Sequence, residues 1–211
     1  MNIAAEVAKN LLAINAVKLS PKKPFTWASG LKSPIYCDNR ISLSFPDIRT
    51  KIINAFVEKS KKFAGFDTIA GVATAGIAHG ALLAQTLDMP FVYVRSKAKE
   101  HGRKNQIEGK ISGTEKVLVI EDLISTGGSA LLAVEALRQE GCEVIGVLAI
   151  FSYEFEKSRS AFNRAHCPFD TLSNYSALIR AARESGYIRE EEEQQLKNWS
   201  SNPQAWSDQF L

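Results

Sequence analysis

Residues 116–137, K-V-L-V-I-E-D-L-I-S-T-G-G-S-A-L-L-A-V-E-A-L, constrain the fold more than any other part of the chain. The Val/Ile/Leu run at its start reads as a strand buried on both faces. Leu131, Val134 and Leu137 recur at helical spacing, and Gly141 is placed to end that helix. A strand buried on both faces, followed at once by a helix, belongs inside a sheet covered by helices.

The same alternation extends to either side. Residues 67–73, 91–95 and 143–151 read as apolar strands, and 76–87 as a helix. A last short strand is expected near 170–172 and a helix over about 174–185. Earlier, helices are expected over 4–15 and 46–62, on either side of a Pro- and Ser-rich stretch of loop and short strand. The expectation is an α/β protein with a mainly parallel central sheet flanked by helices. The 211 residues read as a single domain: 1–45 as N-terminal helix and hood, 46–190 as core, and 190–211 as a C-terminal helix or tail. The acidic start E-E-E-E-Q-Q-L-K-N-W reads as a surface helix.

Charge and cysteine usage exclude several classes. The net charge of +3 is too small to imply nucleic acid. No apolar run approaches the ~20 residues of a membrane helix, and Glu6 and Lys9 interrupt any signal-peptide core. Cys37, Cys142 and Cys167 lack both a disulfide framework and metal-ligand spacing. A cytoplasmic protein without nucleic-acid or membrane partners is expected.

In parallel sheets, ligands lie beyond the carboxyl ends of the strands. Four segments stand there or nearby. In E-D-L-I-S-T-G-G-S, the strand is expected to end at the carboxylates Glu121 and Asp122. Ser125, Thr126, Gly127, Gly128 and Ser129 then lead into a helix. Small residues let backbone N–H groups converge, and the helix start adds positive charge, so this turn suits a phosphate. The acids suit the hydroxyls of a sugar bearing that phosphate, and would offset positive charge developing on it. Thr74, Ala75 and Gly76 open another helix after a strand, a second anion site of the same kind. His79, further along, reads as packing. Residues 95–109 carry Arg95, Lys97, Lys99, His101, Arg103 and Lys104 between glycines, as a lid over a polyphosphate would. Finally, F-T-W-A-S-G-L-K-S-P-I-Y (25–36) presents Phe25, Trp27 and Tyr36, which can stack on a heterocycle or pack a hood.

Taken together, E-D-L-I-S-T-G-G-S, F-T-W-A-S-G-L-K-S-P-I-Y-C-D-N-R and R-S-K-A-K-E-H-G resemble the orotate branch of the type I phosphoribosyltransferases. The resemblance implies that family's fold, with a small hood built largely from the N-terminal segment. It implies transfer of phosphoribosyl from phosphoribosyl diphosphate (PRPP) to orotate, giving orotidine 5′-monophosphate in pyrimidine synthesis. Mg²⁺ would travel on the diphosphate rather than in a cage of protein side chains. Glu121 and Asp122 would hold the ribose. Leu123 and Ile124 lead into Ser125–Ser129, which would wrap the 5′-phosphate. Thr74–Gly76 would meet pyrophosphate. Arg95, Lys99 and His101 would bind the diphosphate, with Lys99 and His101 reaching into a neighbouring subunit of a homodimer. Lys99, His101 and Asp122 would be the catalytic groups, and Tyr36, Ser125 and Lys32 would face orotate. The alternatives are a phosphoribosyltransferase for another nucleobase, or a PRPP-sensing regulator on the same fold. The chain departs from some members in having Ala28 and Ser96 where they carry Lys, Glu121 where many carry Asp, and no Arg directly after the strand 143–151. Lys32 or backbone amides of the first loop are the expected partners of the orotate carboxylate. Lys99→Ala is expected to lower turnover more than about tenfold while the thermal melt is unchanged; an unaltered rate would contradict the lid assignment.

Overall fold

The computed structural model describes residues 2–27, 29–63, 65–96 and 106–210. Lys99 and His101, the lid residues singled out above, lie outside them. In chain order the helices are α1 (Ile3–Ala13), α2 (Pro46–Ser60), α3 (Ala75–Leu87), α4 (Gly128–Gln139), α5 (Glu156–Arg164), α6 (Tyr175–Glu184), α7 (Glu190–Ser201) and α8 (Pro203–Ser207). The strands are β1 (Val17–Leu19), β2 (Phe25–Thr26), β3 (Lys32–Ser33), β4 (Ile35–Cys37), β5 (Thr68–Val72), β6 (Phe91–Val94), β7 (Ile107–Glu108), β8 (Lys116–Ile124), β9 (Glu143–Ser152) and β10 (Phe169–Asn174).

Six strands make the central sheet in the order β10-β9-β8-β5-β6-β7. All neighbours run parallel except β6 and β7, which pair antiparallel at the edge. The parallel core follows from composition: every residue of β5 is buried, as are Val117–Ile120 of β8 and nearly all of β9. Buried on both faces, such strands need helices above and below, and two apolar clusters fill those layers. Leu118, Ile120, Leu148 and Ile150 turn to one side with Leu11, Ile52, Phe56 and Leu178. Val117, Val119 and Val147 turn to the other with Ala133, Val134, Leu137 and Phe162. This is the two-residue alternation of a strand, read as two cores. The N-terminal segment adds two short antiparallel ribbons, β1–β4 and β2–β3.

Two expectations need correction. The strand expected to stop at Glu121 continues to Ile124, because β9 goes on pairing it: Leu123 faces Phe151 and Ile124 faces Ser152. The acidic pair therefore sits on a held strand, and the Ile124 side chain points into the core rather than toward a ligand. Nor is α7 merely a surface helix. Its acidic start is exposed, but Leu196 and Trp199 are fully buried. Trp199 meets Trp27 and Tyr153 edge-on at 5.8 Å and Phe155 at 5.4 Å. Two apolar residues three positions apart on a highly charged helix were enough to dock it.

His79 of α3 is fully buried, and neither ring nitrogen has a hydrogen-bond partner among the described residues. Burial lowers its pKa from 6.5 to about 4. Unfolded, the ring would charge near its ordinary value, so the folded state loses stability as pH falls from about 6.5 toward 4. At ~1.4 kcal/mol per unit, the loss is about 3 kcal/mol. His79→Leu should flatten denaturant-measured stability over that window; an unchanged slope would show that His79 does not titrate on unfolding.

Candidate active site

The order of strands locates the crevice. From β5 the chain crosses to β6 on one side, whereas β8 pairs with the other side of β5 and leads on to β9 and β10. Where connections diverge in this way, a cleft opens beyond the strand ends. The ends of β5 and β8 thus face the same space. From β5 the chain runs through Ala73 and Thr74, joined by a cis peptide, into α3. From β8 it runs through Ser125–Gly127 into α4.

The two helix starts share a feature. Neither Thr74, before α3, nor Gly127, before α4, caps its helix with a side chain. Uncapped N–H groups at a helix start are free to bind an anion. Around α4 the backbone of Ser125–Ser129, with Leu123 and Ala130, encloses a cavity of about 160 Å³. Gly127 makes this shape possible with φ +85, where a Cβ would also sit 2.8 Å from the Phe162 ring. Gly76 has an equally strict role, since a Cβ there would run into the Ile120 carbonyl. Its absence lets α3 begin against β8, bringing the two anion loops side by side.

Between them lies the acidic pair. Glu121 is only 5% exposed, and its Oε1 accepts a hydrogen bond from the Asp122 N–H at 3.0 Å. Burial, reinforced by the Asp122 charge, raises the Glu121 pKa well above the carboxylate range. Burial also raises Asp122, with the Glu121 carboxyl and the Arg40 guanidinium opposing. The hood reaches this strand. Asn39 Nδ2 donates to the Asp122 carbonyl at 2.8 Å, while Arg40 forks onto Asp38 at 2.7 and 2.9 Å.

The remaining expected residues are placed unevenly. Arg95, just past β6, donates its N–H to the Gln106 carbonyl at 2.8 Å, and its guanidinium lies 3.5 Å from Glu108. The ends of the basic segment are therefore anchored by the unanticipated strand β7. Tyr36 is 42% exposed and its ring lies 5.8 Å from that of Phe25. Lys32 is turned elsewhere: its Nζ donates to Thr26 Oγ1 at 2.9 Å, and its N–H to Ser207 Oγ at 2.9 Å. Trp27 stacks on Tyr153 at 5.2 Å and donates Nε1–H to the Ile35 carbonyl. It also borders a second cavity of about 510 Å³ that opens onto Ser125 and Thr126 and is lined further by Leu31, Phe155 and residues 200–204. Sequence reasoning missed Arg40 and the 200–204 wall. The first is tied to its role only through Asp38 and the β8 strand end, and the second comes from the far end of the chain.

Comparison with known proteins fits this geometry. Residues 43–180 match the phosphoribosyl transferase domain. An orotate phosphoribosyltransferase of Cutibacterium acnes is 57% identical over 98% of this chain and 96% of its own length. The chain belongs to the orotate phosphoribosyltransferase family. Among solved structures, orotate phosphoribosyltransferase of Aeropyrum pernix superposes with a TM-score of 0.75 at 27% identity, over 87% of this chain and 99% of that one. UMP synthase of Leishmania donovani gives 0.80 at 27% identity over 93% of this chain, which spans 42% of that longer protein. The uncapped turn before α4 makes Gly127→Ala informative. Inorganic phosphate or PRPP should bind about tenfold or more weakly by calorimetry, and stability should fall by about 1–3 kcal/mol; unchanged affinity would remove this turn from the binding site.

Proposed function

We propose that the protein transfers the 5-phosphoribosyl group of PRPP to orotate, releasing pyrophosphate. The observation that carries this reading is the β5–β8 crevice, where two uncapped helix starts flank a buried acidic pair. In it, the N–H groups of Ser125–Ser129 hold the 5′-phosphate and those of Thr74–Gly76 meet the departing pyrophosphate. Glu121 and Asp122 take the ribose hydroxyls. Arg95, Lys99 and His101 bind the diphosphate, and Ser125 and Tyr36 face orotate.

The chemistry is charge management. As the anomeric C–O bond lengthens, positive charge grows on the ribose and negative charge on the diphosphate. Asp122 opposes the first, and the lid cations the second. Orotate is already an anion at neutral pH, so its attacking nitrogen needs no strong general base. The lid excludes water, which would otherwise capture the ribosyl centre. Mg²⁺ carried on the diphosphate would supply charge neutralisation on the leaving group. The donor set fits it, because Asp122 offers the hard carboxylate oxygens this ion prefers beside the PRPP oxygens.

Lys99 and His101 act in the neighbouring subunit of a homodimer, so both subunits are needed for turnover. The chain works as one domain, with hood, core and C-terminal helices serving a single site. Three free cysteines suit a cytoplasmic enzyme, and no helix among the described residues is long and apolar enough to cross a membrane.

Loss of orotate absorbance with PRPP, measured with and without Mg²⁺, tests the reaction. Rapid Mg²⁺-dependent loss is expected; PRPP binding without orotate consumption would move the protein to another base or to a regulatory role. Asp122→Asn should lower kcat by about tenfold or more while PRPP affinity changes much less. An equal loss in both would make Asp122 a simple binding group.

A further inference from the structure

Strand β8 loses a neighbour where its acidic pair begins. β5 pairs with it only over Val117–Ile120, then leaves the sheet through Ala73 and Thr74 into α3. β9 goes on pairing as far as Ile124. Residues 121–124 therefore have a strand on one side alone, and backbone groups turned to the other side need different partners. Side chains hold both backbone groups of Asp122. Its N–H donates to Glu121 Oε1 at 3.0 Å, and its carbonyl accepts from Asn39 Nδ2 at 2.8 Å.

Asn39 is held firmly for this contact. Its side chain is fully buried. Its Oδ1 accepts the Cys37 Sγ–H at 3.4 Å, so the thiol decides which end of the amide faces the Asp122 carbonyl. The backbone beneath is pinned as well. The Asp38 carboxylate accepts the Arg40 N–H at 3.2 Å and opens the short helical turn Asn39–Ser44, and Ser42 Oγ donates to the Asn39 carbonyl at 2.6 Å. This turn continues directly from β4, where Tyr36 stands three residues earlier. One stretch of the hood thus carries the ring that the proposed function sets against the base. The same stretch grips the strand bearing the acid set against the ribose.

We propose that Asn39 is a positioning residue: by gripping the Asp122 carbonyl it fixes the backbone from which the Asp122 carboxylate projects, while Cys37 orients its amide. The assignment rests on the reading of Asp122 as the acid that opposes positive charge on the ribose. An Asp side chain is short, so its own backbone largely sets where the carboxylate lies. A displacement of about 1 Å at a reacting centre costs about 100-fold in rate.

The test is a double-mutant cycle in steady-state kinetics with PRPP and orotate. Asn39→Leu, which keeps the volume and removes the donor, should lower kcat about tenfold and change the KM for PRPP less than about twofold. In an Asp122→Asn background, adding Asn39→Leu should lower kcat less than about twofold, because the carboxylate it positions is gone. A residue that merely supported the fold would cost the same factor in both backgrounds. Because Asn39 is buried and its loss also lowers the melting temperature, Cys37 gives a gentler probe. Cys37→Ala should lower kcat several-fold in the parent and have little effect beside Asp122→Asn, and Cys37→Ser, which restores a donor, should recover most of the loss. Unchanged kcat in Asn39→Leu and Cys37→Ala would overturn the assignment. So would losses that multiply with that of Asp122→Asn, or equal changes in kcat and in the KM for PRPP. A parent that consumed no orotate would overturn the proposed reaction and this role with it; multiplying losses in an active parent would overturn the role of Asn39 alone.

Discussion

The close approach of α3 to the end of β8 organises the site. Gly76 has no side chain, and the Ile120 carbonyl occupies the space a Cβ would need. Gly71 and Gly80 bring the same helix down on β5 and the Phe91 ring. Three glycines thus let a helix start lie against the middle of a sheet instead of above it. Only then do two helix starts without side-chain caps, one after β5 and one after β8, open onto the same crevice. A bulkier residue at Gly76 would push α3 outward and separate them, even with every phosphate-binding residue still present.

The second joint is aromatic. Trp27 of the hood, Tyr153 and Phe155 beyond β9, and Trp199 of α7 form one cluster with centroid spacings of 5.2 to 5.8 Å. The four rings come from three parts of the molecule: the hood, the segment after β9 and α7. Burying them together fixes the hood and the C-terminal helices to the sheet without a long interface. This rigidity places the walls of the cavity beside Ser125 and Thr126, and it links the C-terminal helices to the first loop.

The parallel core and the small-residue turn before α4 were legible because they rest on local rules: unbroken Val/Ile/Leu strands, helical spacing, and small residues before a helix. Strand ends were less so. Nothing near Glu121 announces that β8 runs on to Ile124, since that is decided by pairing with β9. The burial of Trp199 was hidden for the same reason. The charges of Glu190–Glu193 dominate the local pattern, while docking depends on rings outside the helix, Trp27, Tyr153, Phe155 and Tyr175. Lys32 and Lys157 mark the limit most clearly. Both are lysines near loops, and only the fold shows that one is tied to Thr26 and the other lines a pocket.

Two adjacent carboxylates in a site proposed for a polyanion pose an electrostatic problem, which burial eases. Ionised together and buried, Glu121 and Asp122 would repel each other and any phosphate nearby. Burial instead raises both, Glu121 most strongly, so that the free protein keeps a proton on the pair. A protonated Glu121 can donate where an ionised one would only repel, which would suit the ribose oxygen proposed above. Asp122, closer to Arg40, is the member better able to ionise. Its charge has most value when the ribose becomes cationic, and least while the intact diphosphate is present. The asymmetry between two adjacent acids thus follows from depth and from one guanidinium brought in by the hood. In the proposed reaction it would provide negative charge where the transition state needs it without closing the site to the substrate.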